Sequence, residues 1–269
     1  MIWVEFALTG LFAGFMAGYL GIGGGIILVP VLSWIFSRDP ATAGIAVQMA
    51  VATSLATMLF SSLSSVIAQQ RKGAILWPIA KRLLPGLMLG ALLGALVADS
   101  VSSEVLGRVF GIFLLIIGVQ MLRGARKQAN HPLPGAIITA AVGAGIGSIS
   151  SLFGVGGGSM TVPWLLRHGQ QVRNSVATAA ACGYPIAVAG TIAFIFLGVQ
   201  TVDTSTAGAS ATVISTLGYI NLQALAGIAV FSVMGAPLGV AAVHRSKPEL
   251  AKRVFAVFLL IGAARMLLA

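Results

Sequence analysis

Gly21-Ile22-Gly23-Gly24-Gly25-Ile26-Ile27-Leu28-Val29-Pro30 recurs 133 positions later as Gly154-Val155-Gly156-Gly157-Gly158-Ser159-Met160-Thr161-Val162-Pro163. Each copy interrupts a long apolar segment. Irregular backbone within a bilayer is tolerated where protein or a cavity satisfies it, and paired broken helices mark the binding sites of transporters built from repeats.

The rest of the chain supports a membrane setting. Of its 269 residues, 58% are hydrophobic and 8% charged, and mean hydropathy is +1.00. No water-soluble core hides that much apolar surface. Apolar stretches run 5–36, 43–67, 75–98, 105–122, 135–166, 174–199, 213–243 and 253–269, about eight in all. Runs such as Phe113-Leu114-Leu115-Ile116-Ile117 are apolar on every side, which excludes the period-two alternation of a β-barrel. The expected fold is an all-α polytopic membrane protein.

The repeat extends beyond the glycines. Val51-Ala52-Thr53-Ser54 answers to Val176-Ala177-Thr178-Ala179, and Arg108-Val109-Phe110 to Arg253-Val254-Phe255. Residues 1–126 and 132–269 therefore read as a first and a second transmembrane repeat, with 127–131 a basic linker. If all eight segments cross once, the basic residues divide equally between the two sides. If each glycine segment instead dips in and returns, thirteen share one side and only Arg38, Arg108 and Arg265 lie opposite. That bias marks the thirteen as cytoplasmic. Helices over 5–20 and 26–36 would be about 24 Å and 16 Å long, short of a ~30 Å hydrocarbon core. The expectation is two inverted repeats, each with a re-entrant or discontinuous first segment, in a bacterial inner membrane with both termini outside.

Glycine runs let backbone amides approach a ligand, and a half-helix starting there offers N–H groups and a positive dipole end to an anion. Gly23, Gly24, Gly25, Gly156, Gly157 and Gly158 are accordingly candidate substrate-binding residues, with Ser159 adding a hydroxyl. The segments after each motif supply Gln48, Thr53 and Ser54, and Arg173, Asn174 and Thr178. Glycines four residues apart, such as Gly86, Gly90 and Gly94, read as helix-packing faces.

Other classes are disfavoured. The net charge of +10 sits in short clusters between spans, so nucleic acid is not an expected partner. Every acidic residue lies at a segment end or in a loop, and His131, His168 and His244 show no metal-ligand spacing. No metal, cofactor or catalytic residue is expected. The best nucleophile candidate, Ser210, lacks a following glycine and has no histidine within any span to activate it. A lone Cys182 excludes internal disulfides, and Glu5 replaces the basic start of a cleavable signal peptide.

The paired Gly-x-Gly-Gly-Gly turns closing on Pro30 and Pro163, the Val-Ala-Thr stretches, and Leu217-Gly218-Tyr219-Ile220-Asn221-Leu222 resemble the TauE/SafE sulfite exporter family. The resemblance implies an inner-membrane transporter, acting as an exporter of sulfite, sulfoacetate or other organosulfonates. The alternative is a passive anion channel of the same fold. This sequence departs from the repeat at Ala179, the counterpart of Ser54, and in the Thr/Ser/Ala/Gly-rich stretch 201–216, expected as an external loop or short helix.

Overall fold

The computed structural model describes residues 2–20, 24–123, 131–205, 216–243 and 248–268. Gly23, Ser210, residues 127–130 of the linker and 206–215 of the inserted stretch lie outside them. Among the described residues ten α-helices follow in order: α1 (Ile2–Leu20), α2 (Gly25–Phe36), α3 (Ala46–Arg71), α4 (Trp77–Ser100), α5 (Ser103–Arg123), α6 (Ala136–Leu152), α7 (Gly158–Arg167), α8 (Val172–Ser205), α9 (Leu222–Val243) and α10 (Pro248–Leu268). Four described stretches are long and apolar enough to cross a membrane: those of α3, α4, α5 and α8. Shorter apolar stretches fall in α1, α2, α6, α9 and α10.

The apolar run expected over 213–243 is not one segment. Thr216 pairs with Asn221 and Leu217 with Ile220 in a two-residue hairpin before α9 begins. Gly218, at φ +56°, makes this tight turn possible. The hairpin seats on α8, where Tyr219 N–H donates to Phe194 O at 3.3 Å and its ring meets Phe194 edge-on.

Helix contacts pair across the sequence halves. α1 packs along α9, and α6 along α4. Gly10 abuts Ile228 and Gly14 abuts Ser232, so α1 and α9 run the same way. Gly86, Gly90 and Gly94 abut Ala140, Ala144 and Ser148, so α4 and α6 do too. At these glycines a Cβ would strike the neighbour's backbone, which is why small residues repeat at four-residue spacing. α5 and α10 run oppositely, with Gly111 beside Ala263 and Gly118 beside Leu260. α3 and α8 are also opposed: Leu55 meets Gly190, while Val66 and Ile75 pack with Ala177 and Ala181. The first half of α3, from Ala46 to Met58, is buried throughout and forms the central column.

The two ends of each glycine segment lie together. The Glu5 carboxylate at the start of α1 accepts from the Arg38 guanidinium, just past α2, at 3.1 Å. In the second half, His131 N–H ahead of α6 donates to the carbonyl of Arg167, the last residue of α7, at 3.2 Å. α1, at 19 residues or about 28 Å, is longer than its sequence suggests. Exposed Trp3 and Val4 extend it past Glu5, whose charge Arg38 offsets.

Candidate functional site

The two glycine turns meet. Gly25, opening α2, lies so close to the Gly154 carbonyl that a Cβ would collide with it, and Ser54 Oγ of α3 donates to that same oxygen at 2.8 Å. Ala179, at the corresponding place on α8, has no hydroxyl to repeat this bond. Among the motif glycines described, only Gly154 needs a left-handed backbone, at φ +62°. Gly24 and Gly157 are right-handed, at φ −69° and −53°. The turns are therefore glycine-rich mainly for close approach, as at Gly25, rather than for backbone angle.

Neither α2 nor α7 has a side-chain cap. Gly157 O accepts from Met160 and Thr161 N–H at 3.3 and 2.8 Å, while among the described residues the amides of Gly158 and Ser159 donate to nothing. Hydroxyls that bond nothing flank the second motif: Ser150 and Ser151 at the end of α6, and Ser159 and Thr161 at the start of α7, each bury an oxygen without a partner. Thr161 Oγ1 lies 3.4 Å from where a Gly157 Cβ would stand, and Ser151 Oγ 3.0 Å from a Cβ on Gly190. A helical Ser or Thr ordinarily bonds its own preceding carbonyl. These do not, so the start of α7 holds unbonded amides beside the unsatisfied hydroxyls of Ser159 and Thr161, while Ser150 and Ser151 add two more near the end of α6.

The two starts differ. Gly25 through Pro30 are all buried and apolar, whereas Gly158, Ser159 and Met160 are half-buried. Pro30 and Pro163 sit inside α2 and α7 and remove an N–H from each.

The remaining candidates are spread through the fold. Gln48 is buried near the start of α3, where Nε2 donates to Val101 O at 2.9 Å while Oε1 has no partner. Thr53 Oγ1 accepts from Asn221 N–H at 3.1 Å, and Thr178 Oγ1 from Leu76 N–H at 2.9 Å. These matching bonds anchor the chain entering α9 and α4. Arg173 is exposed at the start of α8, donating to Lys72 O at 3.3 Å, with half-buried Asn174 beside it. Ser150 and Ser151 escape a reading of the sequence because they precede the motif, and a helical serine carries no distinguishing pattern. Thr161 is a polar residue where the first motif has Leu28, and that asymmetry is the signal for it.

Comparison with known proteins finds relatives that are membrane transporters. The chain is 28% identical over 262 residues to a probable membrane transporter protein of Haemophilus influenzae, covering 97% of this chain and 96% of that one. It is 28% identical over 191 residues to the probable membrane transporter protein YunE of Bacillus subtilis, covering 62% of this chain and 68% of the relative. A probable membrane transporter protein of Methanocaldococcus jannaschii is 24% identical over 193 residues, 70% of each chain. No solved structure matches. The family model described as Sulfite exporter TauE/SafE matches residues 6–266. With paired glycine turns, apolar helices and a family match over nearly its whole length, the chain belongs to the TauE/SafE family of membrane transporters.

Proposed function

We propose that the protein exports small anions, such as sulfite, sulfoacetate or other organosulfonates, across a bacterial inner membrane, holding them where the two glycine turns meet. The observation that carries this is the start of α7, where among the described residues the amides of Gly158 and Ser159 donate to nothing and the buried hydroxyls of Ser159 and Thr161 have no partner, a few residues on from the Gly154 carbonyl that meets Gly25. Such a start offers a positive dipole end and N–H donors without a formal charge. The binding set is Gly24, Gly25, Gly156, Gly157, Gly158 and Ser159, joined by Ser151 and Thr161, with Gly23 by the motif. Ser54 holds the second turn in place, Thr53 and Thr178 anchor the chain entering α9 and α4, and Arg173 and Asn174 flank the entrance.

The two repeats are inverted in this reading. The antiparallel courses of the corresponding pairs α5/α10 and α3/α8 support it, as do the hairpins closed by Glu5–Arg38 and His131–Arg167. Arg71, Lys72, Arg167 and Arg173 then face the cytoplasm and the termini face outward. An inside-negative potential favours anion exit by about 2.3 kcal/mol per charge per 100 mV, so export needs no coupling ion. Contact between Gly25 and Gly154 supports a carrier over a passive channel.

The test is efflux of radiolabelled sulfite from proteoliposomes under an imposed potential. We expect saturable flux, faster when the compartment losing sulfite is negative. Flux that rises linearly with concentration, or none above protein-free vesicles, contradicts the exporter reading.

A further inference from the structure

A second site lies on the opposite side of the molecule from Arg71 and Arg173. A cavity of about 250 Å³ opens between α2, the start of α5 and the end of α10, with Ser33, Trp34, Ser103, Glu104 and Arg265 among its walls. Drug-sized ligands occupy pockets of about 300–1,000 Å³, so this one suits something smaller.

Its charge is unusual for that side. Of the three cations expected there, Arg38 pairs with Glu5 and Arg108 with Glu104. Arg265 has neither an ion pair nor a hydrogen bond among the described residues. Its guanidinium lies over the Trp34 ring, 4.6 Å from the centroid, and that ring also carries Arg38 at 3.4 Å. Stacking on an aromatic face holds a guanidinium in place and leaves its N–H edge open to a ligand. Glu104 also faces the cavity, but Arg108 engages its carboxylate. Two hydroxyls complete the set. Ser103 Oγ accepts from Val47 N–H at 3.0 Å, which fixes the oxygen and leaves its own proton to donate. Ser33 lines the same wall.

We propose that this pocket binds a small oxyanion, held by Arg265 with Ser33 and Ser103 donating. If the exporter reading is right, the pocket is a station on the outer face at which the departing anion pauses. Fork-shaped guanidinium donors match a planar or pyramidal oxyanion better than a point charge. A phospholipid phosphate offers the same chemistry, and the proposal is for the free anion.

The test uses full-length protein in phosphatidylcholine nanodiscs, titrated with sodium sulfite at constant ionic strength. The Trp34 contribution to emission is obtained by subtracting a Trp34→Phe variant. We expect a saturable Trp34 response whose half-saturating concentration rises at least tenfold in Arg265→Gln and two- to tenfold in Ser33→Ala. If Arg265→Gln does not insert, Ser33→Ala decides alone. No saturable response, or parent-like titration in the variants, overturns the site. So does a response that appears only when phosphatidylglycerol replaces part of the lipid, since the pocket is then a headgroup site. A Trp34 response without sulfite flux defeats the exporter reading and leaves this site standing; flux without the response does the reverse.

Discussion

At the residue scale, the decisive groups are buried hydroxyls left unbonded. A buried hydroxyl without a partner costs roughly 1–3 kcal/mol, so Thr161 weakens the fold that carries it. Replacing it with Val keeps the shape and removes the oxygen. Thr161→Val should therefore raise the melting temperature while weakening equilibrium sulfite binding about two- to a hundredfold, which corresponds to roughly 0.5–3 kcal/mol. Thermal unfolding and sulfite titration of the same preparation check both halves, and unchanged binding in a more stable protein would place the anion elsewhere. Legibility was uneven at this scale. The glycines announce themselves by repetition, and Thr161 by its contrast with Leu28. Thr53 and Thr178 stand at equivalent positions too, yet they anchor the chain entering the next helix. A hydroxyl that accepts a distant amide and one that awaits a ligand look the same in sequence.

At the element scale, glycine seams join the halves. Gly90 faces Ala144 so closely that an added methyl meets backbone, which cannot rotate aside. Gly90→Ala should lower stability by about 1–3 kcal/mol through overpacking, with flux per folded molecule retained. Gly44, in the 3₁₀ turn before α3, has nothing within 4 Å of an added Cβ, so Gly44→Ala should unfold within about 0.5 kcal/mol of the parent. Denaturation of both in one detergent separates packing from mere loss of glycine. These seams were readable as four-residue spacings, because period 3.6 puts such positions on one face. The hairpin at 216–221 was not, since its apolar residues continue the hydropathy of α9 and only Gly218 marks the turn.

At the scale of the whole molecule, the central claim is that each glycine segment returns to the face it entered from, so that two helix starts meet from opposite sides. The cation count of the sequence argues for this, and the ends of both hairpins lie together in the fold. Sidedness labelling with an impermeant thiol reagent tests it most directly, using Gly44→Cys, Gly135→Cys and Gln171→Cys one at a time in intact cells. Cys182 is buried, so the native thiol adds little background. Gly44 and Gly135 have open space for a side chain and Gln171 is exposed, so each new thiol is reachable from its own face. Return of the α6–α7 hairpin puts positions 135 and 171 on the cytoplasmic face, protected until the cells are opened, while position 44 labels from outside. If 171 labels from outside together with 44 while 135 stays protected, the second glycine segment crosses the membrane and the account is wrong.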